Sequence, residues 1–493
     1  MKTFLIALSS FLLIVSCKSE LKKTEAKLNH KSAIEIDRQN KGNVDFDAYF
    51  MNKTMRLDYF HTGNSSEEMF AVDQVLNDGE WAGSKNVLID DLELGLYFYE
   101  ILDKETKVLL YSRGFASIFG EWQTIPEANK RWGTFHESIR FPWPQKPVTV
   151  LVMKRNAENK FQSIWRTDID PTYLQVIQEK PIHDEKVDVI VENGPANTKL
   201  DVVILGDGYS AMEMEKFRND ASRLSEALLR TEPFASQNKS INIRAVETPA
   251  IESGVTKPHH GVYKHSPLSV QYSSFDSERY ALTTDNKTVR DVASAVPYDC
   301  MIILVNELTY GGGGIYNLYT TVAADNYFSE YIMVHEFGHH LAALADEYYT
   351  SAVAYEVPEI TTEPWETNVT ALLDKENLKW KDLVDDDTPI PTTWNKEGFD
   401  AHGYQIQKER DSLRANHVPE TQMEALFLRQ MKAEDEFFAQ EKYKDQVGAF
   451  EGANYCAKGL YRPQLDCIMY TRHNVFCKVC QQSIVHVIQQ YSN

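Results

Sequence analysis

The sequence predicts an α+β, multidomain chain: an N-terminal all-β sandwich followed by an α/β domain. Three observations predict it. Short β-type runs broken by turn residues fill the stretch from about Phe46 to Glu179. A strand–helix–strand order begins near Thr198. The length of 493 residues exceeds one ordinary core, so two or three domains are expected.

Composition narrows the class. Hydrophobic residues make up 43% and charged residues 25%, which describes a soluble globular chain, neither disordered nor embedded in a bilayer. The formal net charge of −21 supplies no basic stripe to neutralise phosphates, so nucleic acid is excluded as a partner.

At the N-terminus, Lys2 precedes an apolar run from Phe4 to Val15 that stops at Ser16-Cys17. The run is too short for a comfortable membrane span and has the layout of a signal, residues 1–16. Ser16-Cys17 after aliphatic residues resembles a bacterial lipoprotein box, which implies a lipid on Cys17. Residues 17–42, polar and rich in Lys and Glu, read as a tether. The expectation is an exported protein, lipid-anchored to the outer membrane on its periplasmic face or at the cell surface, with membrane contact through Cys17 only.

The β-sandwich domain is expected over 43–185. Leu94–Leu102, Lys107–Tyr111 and Val148–Met153 read as strands, and Asp103 to Thr106 as a hairpin turn. His136 and Glu137 read as structural or surface groups.

The second domain is expected over 197–493. Lys199 to Tyr209 reads as a buried strand ending in a Gly206-Asp207-Gly208 turn, too short for a dinucleotide fingerprint. Ser210 caps a helix whose apolar face carries Met214, Phe217, Ala221, Leu224 and Leu228 at helical spacing. Asn242–Glu247 and Asp299–Asn306 follow as strands. Gly311 to Gly314 then form a glycine-rich bend before the strand Leu318–Ala323. Such a bend beside an edge strand lets a substrate backbone approach and pair by β-addition. Residues 350–450 read as an insertion, helical from about Ile406 to Tyr443 with a break near Pro419.

The chemistry concentrates at His335-Glu336-Phe337-Gly338-His339, an HExxH pattern. Four residues apart on a helix, His335 and His339 share a face and can bind one Zn²⁺, with Glu336 beside them as general base. A catalytic zinc needs a third protein ligand and an open position. Asp346 is favoured, but a helix continuing from His339 would carry it about 10 Å away. The helix must therefore end near Ala342–Leu344. Glu347, a more distant Glu, or His259, His260 or His265 are the alternatives. Relative to the metzincin pattern HExxHxxGxxH/D, Ala342 stands in the glycine slot and Asp346 comes one residue late. Met469 resembles the methionine that underlies the zinc histidines in that clan, with an ordinary core methionine as the competing reading. Tyr461 and Tyr470 are candidates to assist an oxyanion.

Cys456, Cys467, Cys477 and Cys480 cluster near the C-terminus. In an exported chain they are expected to form one or two disulfides, of open pairing, although Cys477-Lys-Val-Cys480 could contribute to a metal site. Cys300, in an apolar run, reads as a buried free thiol.

Several spaced segments together resemble the bacterial IgA-peptidase family of zinc metallopeptidases. They are Leu205 to Tyr209, the HExxH segment with Leu344 to Tyr348, Lys458 to Pro463, Asp466 to Met469 and Phe476 to Cys480. Tyr49 to Tyr59 and Trp81 to Ser84 resemble the β-domain that precedes the peptidase there. The resemblance covers nearly the whole chain after the tether. It implies a metzincin-like α/β peptidase domain, a Zn²⁺ cofactor and a protein or peptide substrate. Immunoglobulin A is the substrate of the founding member, and a host glycoprotein or immunoglobulin is one candidate class here. The rival class is a surface lipoprotein that binds glycan or protein through its β-domain, its peptidase fold residual or inactive; the intact HExxH argues against it.

Overall fold

In the computed structural model, residues 44–350 and 361–492 are described. The leader, the tether and Cys17 lie outside them. After a short helix α1 (Phe46–Tyr49), seven strands form two antiparallel sheets: β1 (Phe50–Gly63), β2 (Glu68–Asn77), β3 (Tyr97–Asp103), β4 (Leu109–Phe115), β5 (Gly133–Pro144), β6 (Val148–Arg155) and β7 (Phe161–Ile169). The sheet orders are β2-β1-β5 and β4-β3-β6-β7. Residues two apart point to one face. Leu57 and Tyr59 of β1 therefore meet Tyr97, Tyr99 and Ile101 of β3 and Val150 and Val152 of β6 in one buried core. The turn between β3 and β4 falls at the expected place. The Asp103 carboxylate accepts hydrogen bonds from the backbone N–H groups of Glu105 (3.1 Å) and Thr106 (2.7 Å). A short helix α2 (Ile118–Gln123) follows β4, its N-terminus capped by Ser117.

The α/β part is a six-stranded sheet. Its strands are β8 (Val187–Val191), β9 (Leu200–Asp207), β10 (Ile241–Val246), β11 (Cys300–Val305), β12 (Gly312–Ile315) and β13 (Tyr319–Ala323), in the order β12-β13-β11-β9-β10-β8. The four inner strands are parallel, and β12 and β8 run antiparallel on the two edges. The inner strands are continuously apolar because both faces are covered. Helices α3 (Met214–Arg230), α5 (Ser329–Ala342) and α8 (Lys478–Ser492) pack on the side chains of Val202, Ile204 and Ile302. On the opposite face Val203, Leu205 and Ile303 meet α4 (Asn286–Ala293) and Ile118 from α2. The turn Gly206-Asp207-Gly208 is structural: buried Asp207 accepts from the backbone of Leu268 (3.0 Å) and Val270 (2.8 Å).

The insertion contains the helices α6 (Lys396–Ala415) and α7 (Glu420–Phe438), with Pro419 capping the second. Their apolar residues Phe399, Ile406, Leu426 and Phe427 join the main core. A hairpin of β14 (Phe450–Ala453) and β15 (Cys456–Arg462) precedes α8. No helix among the described residues is long and apolar enough to cross a membrane.

The β-sandwich is built into the α/β part. Buried Arg56 pairs with Asp58 and Asp78 within the sandwich (2.9 Å each) and with Asp291 of α4 (2.6 Å). Arg140 donates to the Tyr298 carbonyl (2.9 Å), and the Ala116 amide donates to the Tyr316 carbonyl (3.0 Å).

Candidate metal centre and catalytic cleft

Helix α5 is buried almost all round, at the centre of the molecule. Strand β12 lies directly against it, and this close approach explains the glycines. A Cβ on Gly314 would fall 2.1 Å from the carbonyl oxygen of Glu336. The room for β-addition at this bend is limited by the chain's own bonds. Gly312 donates to Arg279 and accepts from Ala281, and the Tyr316 carbonyl is taken by Ala116. A substrate strand therefore cannot pair along the whole edge; only Gly314, between these points, lines the cleft.

The helix ends at Ala342. Ala343 adopts φ 51° and ψ 34°, in the left-handed region, and its N–H caps the last turn on His339 O. The reversal carries the chain back under the helix. Leu344 then presents its carbonyl to Nδ1 of His339 (2.5 Å), and two residues later Asp346 meets both histidines. Relative to the HExxHxxGxxH/D pattern the break comes one residue late, and so does the aspartate.

Oδ1 of Asp346 lies 3.1 Å from Nε2 of His335 and 3.2 Å from Nε2 of His339, and the two Nε2 atoms are 3.2 Å apart. Four-coordinate zinc with bonds of about 2.0 Å sets neighbouring ligand atoms about 3.3 Å apart. The triangle fits. The donor set fits as well, because Asp346 Oδ1 is buried and receives no aligned hydrogen bond. Each histidine has its Nδ1 occupied, His335 by the Ile468 carbonyl (2.8 Å) and His339 by Leu344. These bonds fix the tautomer and leave both Nε2 lone pairs facing the aspartate. The Asp346 carboxylate is held at its other oxygen by the Tyr455 hydroxyl. Without a metal the group behaves as an ion pair. Burial opposes the charge on His339, yet Asp346 beside it holds its pKa up to about 9. Burial likewise opposes the Asp346 charge, and the two histidines outweigh it, keeping that carboxyl well below its ordinary range.

Glu336 and His335 line two cavities. One is a cleft of about 280 Å³ between the two parts of the chain, with Ala116, Gly120 and Thr124 from the sandwich side facing Tyr348, Trp365 and Tyr455. The other, about 50 Å³, is lined by Arg279, Arg410 and Arg472 together with Tyr348 and Glu434. Burial, with Arg279 and Arg472 nearby, pushes Arg410 down to about 10. Burial raises Glu434 to about 7, so near neutral pH this carboxyl offers the three arginines only part of one negative charge.

Of the alternative third ligands, Glu347 points away into a cysteine cluster. His259 contacts Ser273, His260 contacts Glu278, and the His265 backbone bonds Glu252, all apart from the centre. Met469 lies under the helix, its sulfur 3.3 Å from where a Cβ of Gly338 would stand. Tyr470 lines the arginine cavity, whereas Tyr461 pairs through its backbone with Thr370 and lines neither cavity. Tyr348, Tyr455 and Arg279 escaped the sequence reading. Tyr348 could have been found from its position directly after Asp346-Glu347; Arg279 and Tyr455 carry no local signal. The expected disulfides are corrected too: all five described cysteines are free. The sulfurs of Cys467 and Cys480 lie 3.8 Å apart, well beyond a bond of about 2.05 Å.

A buried helix with paired histidines, turned back on itself to present an aspartate beside an open cleft, puts the chain in the class of metallopeptidases. The family model described as IgA Peptidase M64 matches residues 189–488, and that described as Peptidase M64 N-terminus matches 45–166. The chain belongs to this family of peptidases, and its substrates are proteins or peptides. No curated protein matches it.

Proposed function

We propose that this peptidase is a zinc-dependent endopeptidase acting on extracellular proteins. The observation that carries the reading is the triangle of His335, His339 and Asp346 atoms, 3.1 to 3.2 Å on each side, beside the cleft. These three residues would hold the ion. Zinc bound there supplies Lewis acidity to water and to the scissile carbonyl.

The chain's own residues do the rest. With their Nδ1 protons committed to the Ile468 and Leu344 carbonyls, His335 and His339 would offer Nε2 to the ion, whose binding would displace the proton that Asp346 holds on His339. Glu336 takes the proton of the attacking water and delivers it to the leaving amine. Tyr348 lines both cavities beside Glu336, and its hydroxyl accepts a hydrogen bond from Arg279 (2.9 Å). That bond leaves the phenolic proton available to an acceptor, Asp346 beside it or a substrate oxygen as it gains charge. Cavities on both sides of Glu336 suit a chain that continues past the scissile bond in each direction. The cationic cavity suits an acidic substrate residue, and cleavage profiling in which Asp and Glu are depleted near the cut would contradict that preference.

Export and anchoring rest on residues 1–17. Mass spectrometry of the cellular protein would find a lipid on Cys17; an unmodified Cys17 contradicts the anchor.

The test of the function is Glu336→Ala in the purified chain. Hydrolysis of a quenched peptide library should fall by about 10²–10⁴-fold with metal content unchanged. Full activity in that variant would overturn the assignment.

A further inference from the structure

Behind the histidines lies a second group of metal-ligating side chains that the peptidase chemistry does not use. Glu347, Cys467, Cys477 and Cys480 each offer one atom, all within 4.8 Å of one another, and all four residues are buried. The local sequence explains the arrangement. Cys477 immediately precedes α8 and Cys480 is its third residue, so a Cys-x-x-Cys pair sits on the first helical turn. Backbone N–H groups there point at sulfur: Cys480 N donates to Cys477 Sγ (3.4 Å), and Cys477 N to Cys467 Sγ (3.3 Å). Cys467 comes from the loop that carries Met469, and Glu347 from the segment that follows α5.

Three thiols and a carboxyl buried together are costly unless something satisfies them. Asn368 donates to Glu347 Oε1 (2.9 Å), but Oε2 is buried with no hydrogen-bond partner. A disulfide would join two of the sulfurs and still leave the third thiol and the carboxyl unmet. A metal meets all four. Tetrahedral zinc, with bonds of about 2.3 Å to sulfur and about 2.0 Å to oxygen, sets sulfurs about 3.8 Å apart and sulfur and oxygen about 3.5 Å apart. The observed separations are 3.8 Å for Cys467–Cys480 and 3.5 Å for Cys480 Sγ to Glu347 Oε1.

We propose that Glu347, Cys467, Cys477 and Cys480 bind a structural zinc ion, separate from the one at His335, His339 and Asp346. The set is closed, with four buried protein donors, which is the pattern of structural sites; sulfur-rich donors select zinc over the hard cations. Binding displaces the thiol protons to solvent. The net negative charge of the loaded site is offset by the N–H groups of the α8 N-terminus and by buried Arg462, which acts electrostatically on Glu347.

The site braces the catalytic centre. Glu347 adjoins Asp346 and its N–H donates to the Met469 carbonyl (2.7 Å), while the neighbouring Ile468 carbonyl orients His335. One ion thus ties together the two chain segments that aim a histidine and the aspartate.

The test uses the full chain purified with zinc. A His335→Ala/His339→Ala variant loses the peptidase centre, so the proposal expects it to keep about one zinc per chain, with an X-ray absorption spectrum dominated by sulfur scatterers near 2.3 Å. Cys480→Ser in that background should abolish the sulfur signature. Glu347→Gln, a milder change, should keep the fold and release its ion to a chelator faster. A double-histidine variant that holds no zinc, or zinc without sulfur ligation, overturns the proposal, as does a disulfide among Cys467, Cys477 and Cys480 in unreduced peptides. None of these readouts depends on proteolysis, so failure of the peptidase reading is a separate result.

Discussion

Oδ1 of Asp346 and Nε2 of His335 lie 3.1 Å apart, although ten residues of chain separate the two. The contact exists because the helix carrying His335 stops abruptly and the chain folds back beneath it. Whatever holds that reversal also holds the metal centre.

Tyr455 is the first such support. Its hydroxyl donates to Oδ2 of Asp346. Tyr455→Phe removes a hydrogen bond to a charged ligand, and loss of such partners lowers metal affinity by about 10–100-fold. Competition with a zinc chelator measures the change; unaltered affinity would mean that the tyrosine does not orient the aspartate.

Ala343 is the second. Its left-handed backbone costs a residue with a Cβ about 1–2 kcal/mol, and more if that residue is β-branched. Ala343→Gly should therefore keep activity and metal with no loss of thermal stability. Ala343→Val should lose both metal and activity, because the reversal that delivers Asp346 no longer forms easily. Assays of zinc content and melting temperature on the pair separate the cases.

Tyr348 is assigned the developing charge on the substrate. Tyr348→Phe should lower kcat by about 10²–10³-fold with little change in KM and in bound metal. An equal loss in the metal content would assign the tyrosine to the metal centre instead.

Arg56 anchors the sandwich to the α/β part. Arg56→Met leaves buried Asp58 without its cation and leaves buried Asp78 with Arg140 alone. Breaking a buried pair from one side costs about 3–5 kcal/mol, read as a lower denaturant midpoint. Since the sandwich also walls the cleft, activity should fall along with stability.

Much of this was legible in the sequence because the signals are local. Helical spacing puts His335 and His339 on one face, runs of aromatic and β-branched residues mark β3 and β6, and Asp103 announces its turn. Distance in the chain decided what was not legible. Tyr455 reaches Asp346 from 109 residues away, and no local pattern encodes such a contact. The end of α5 carries neither Gly nor Pro; the required break could be inferred only from the reach of Asp346, and packing places it at Ala343. Gly311 to Gly314 suggested an approaching substrate, and packing adds a second reason for the glycines, the close approach of helix α5 at Gly314. The cysteines were ambiguous for another reason: the spacing of a disulfide pair and of a metal knuckle can be the same, and only the convergence of Glu347 distinguishes them.

The central claim is that His335, His339 and Asp346 hold a catalytic zinc. Anomalous diffraction from crystals of the zinc-loaded chain, recorded across the zinc absorption edge, tests it most directly. The account predicts a peak bonded to Nε2 of His335, Nε2 of His339 and Oδ1 of Asp346, with its open side toward Glu336 and the cleft. No peak between the two histidines, or one completed by a residue other than Asp346, would contradict it.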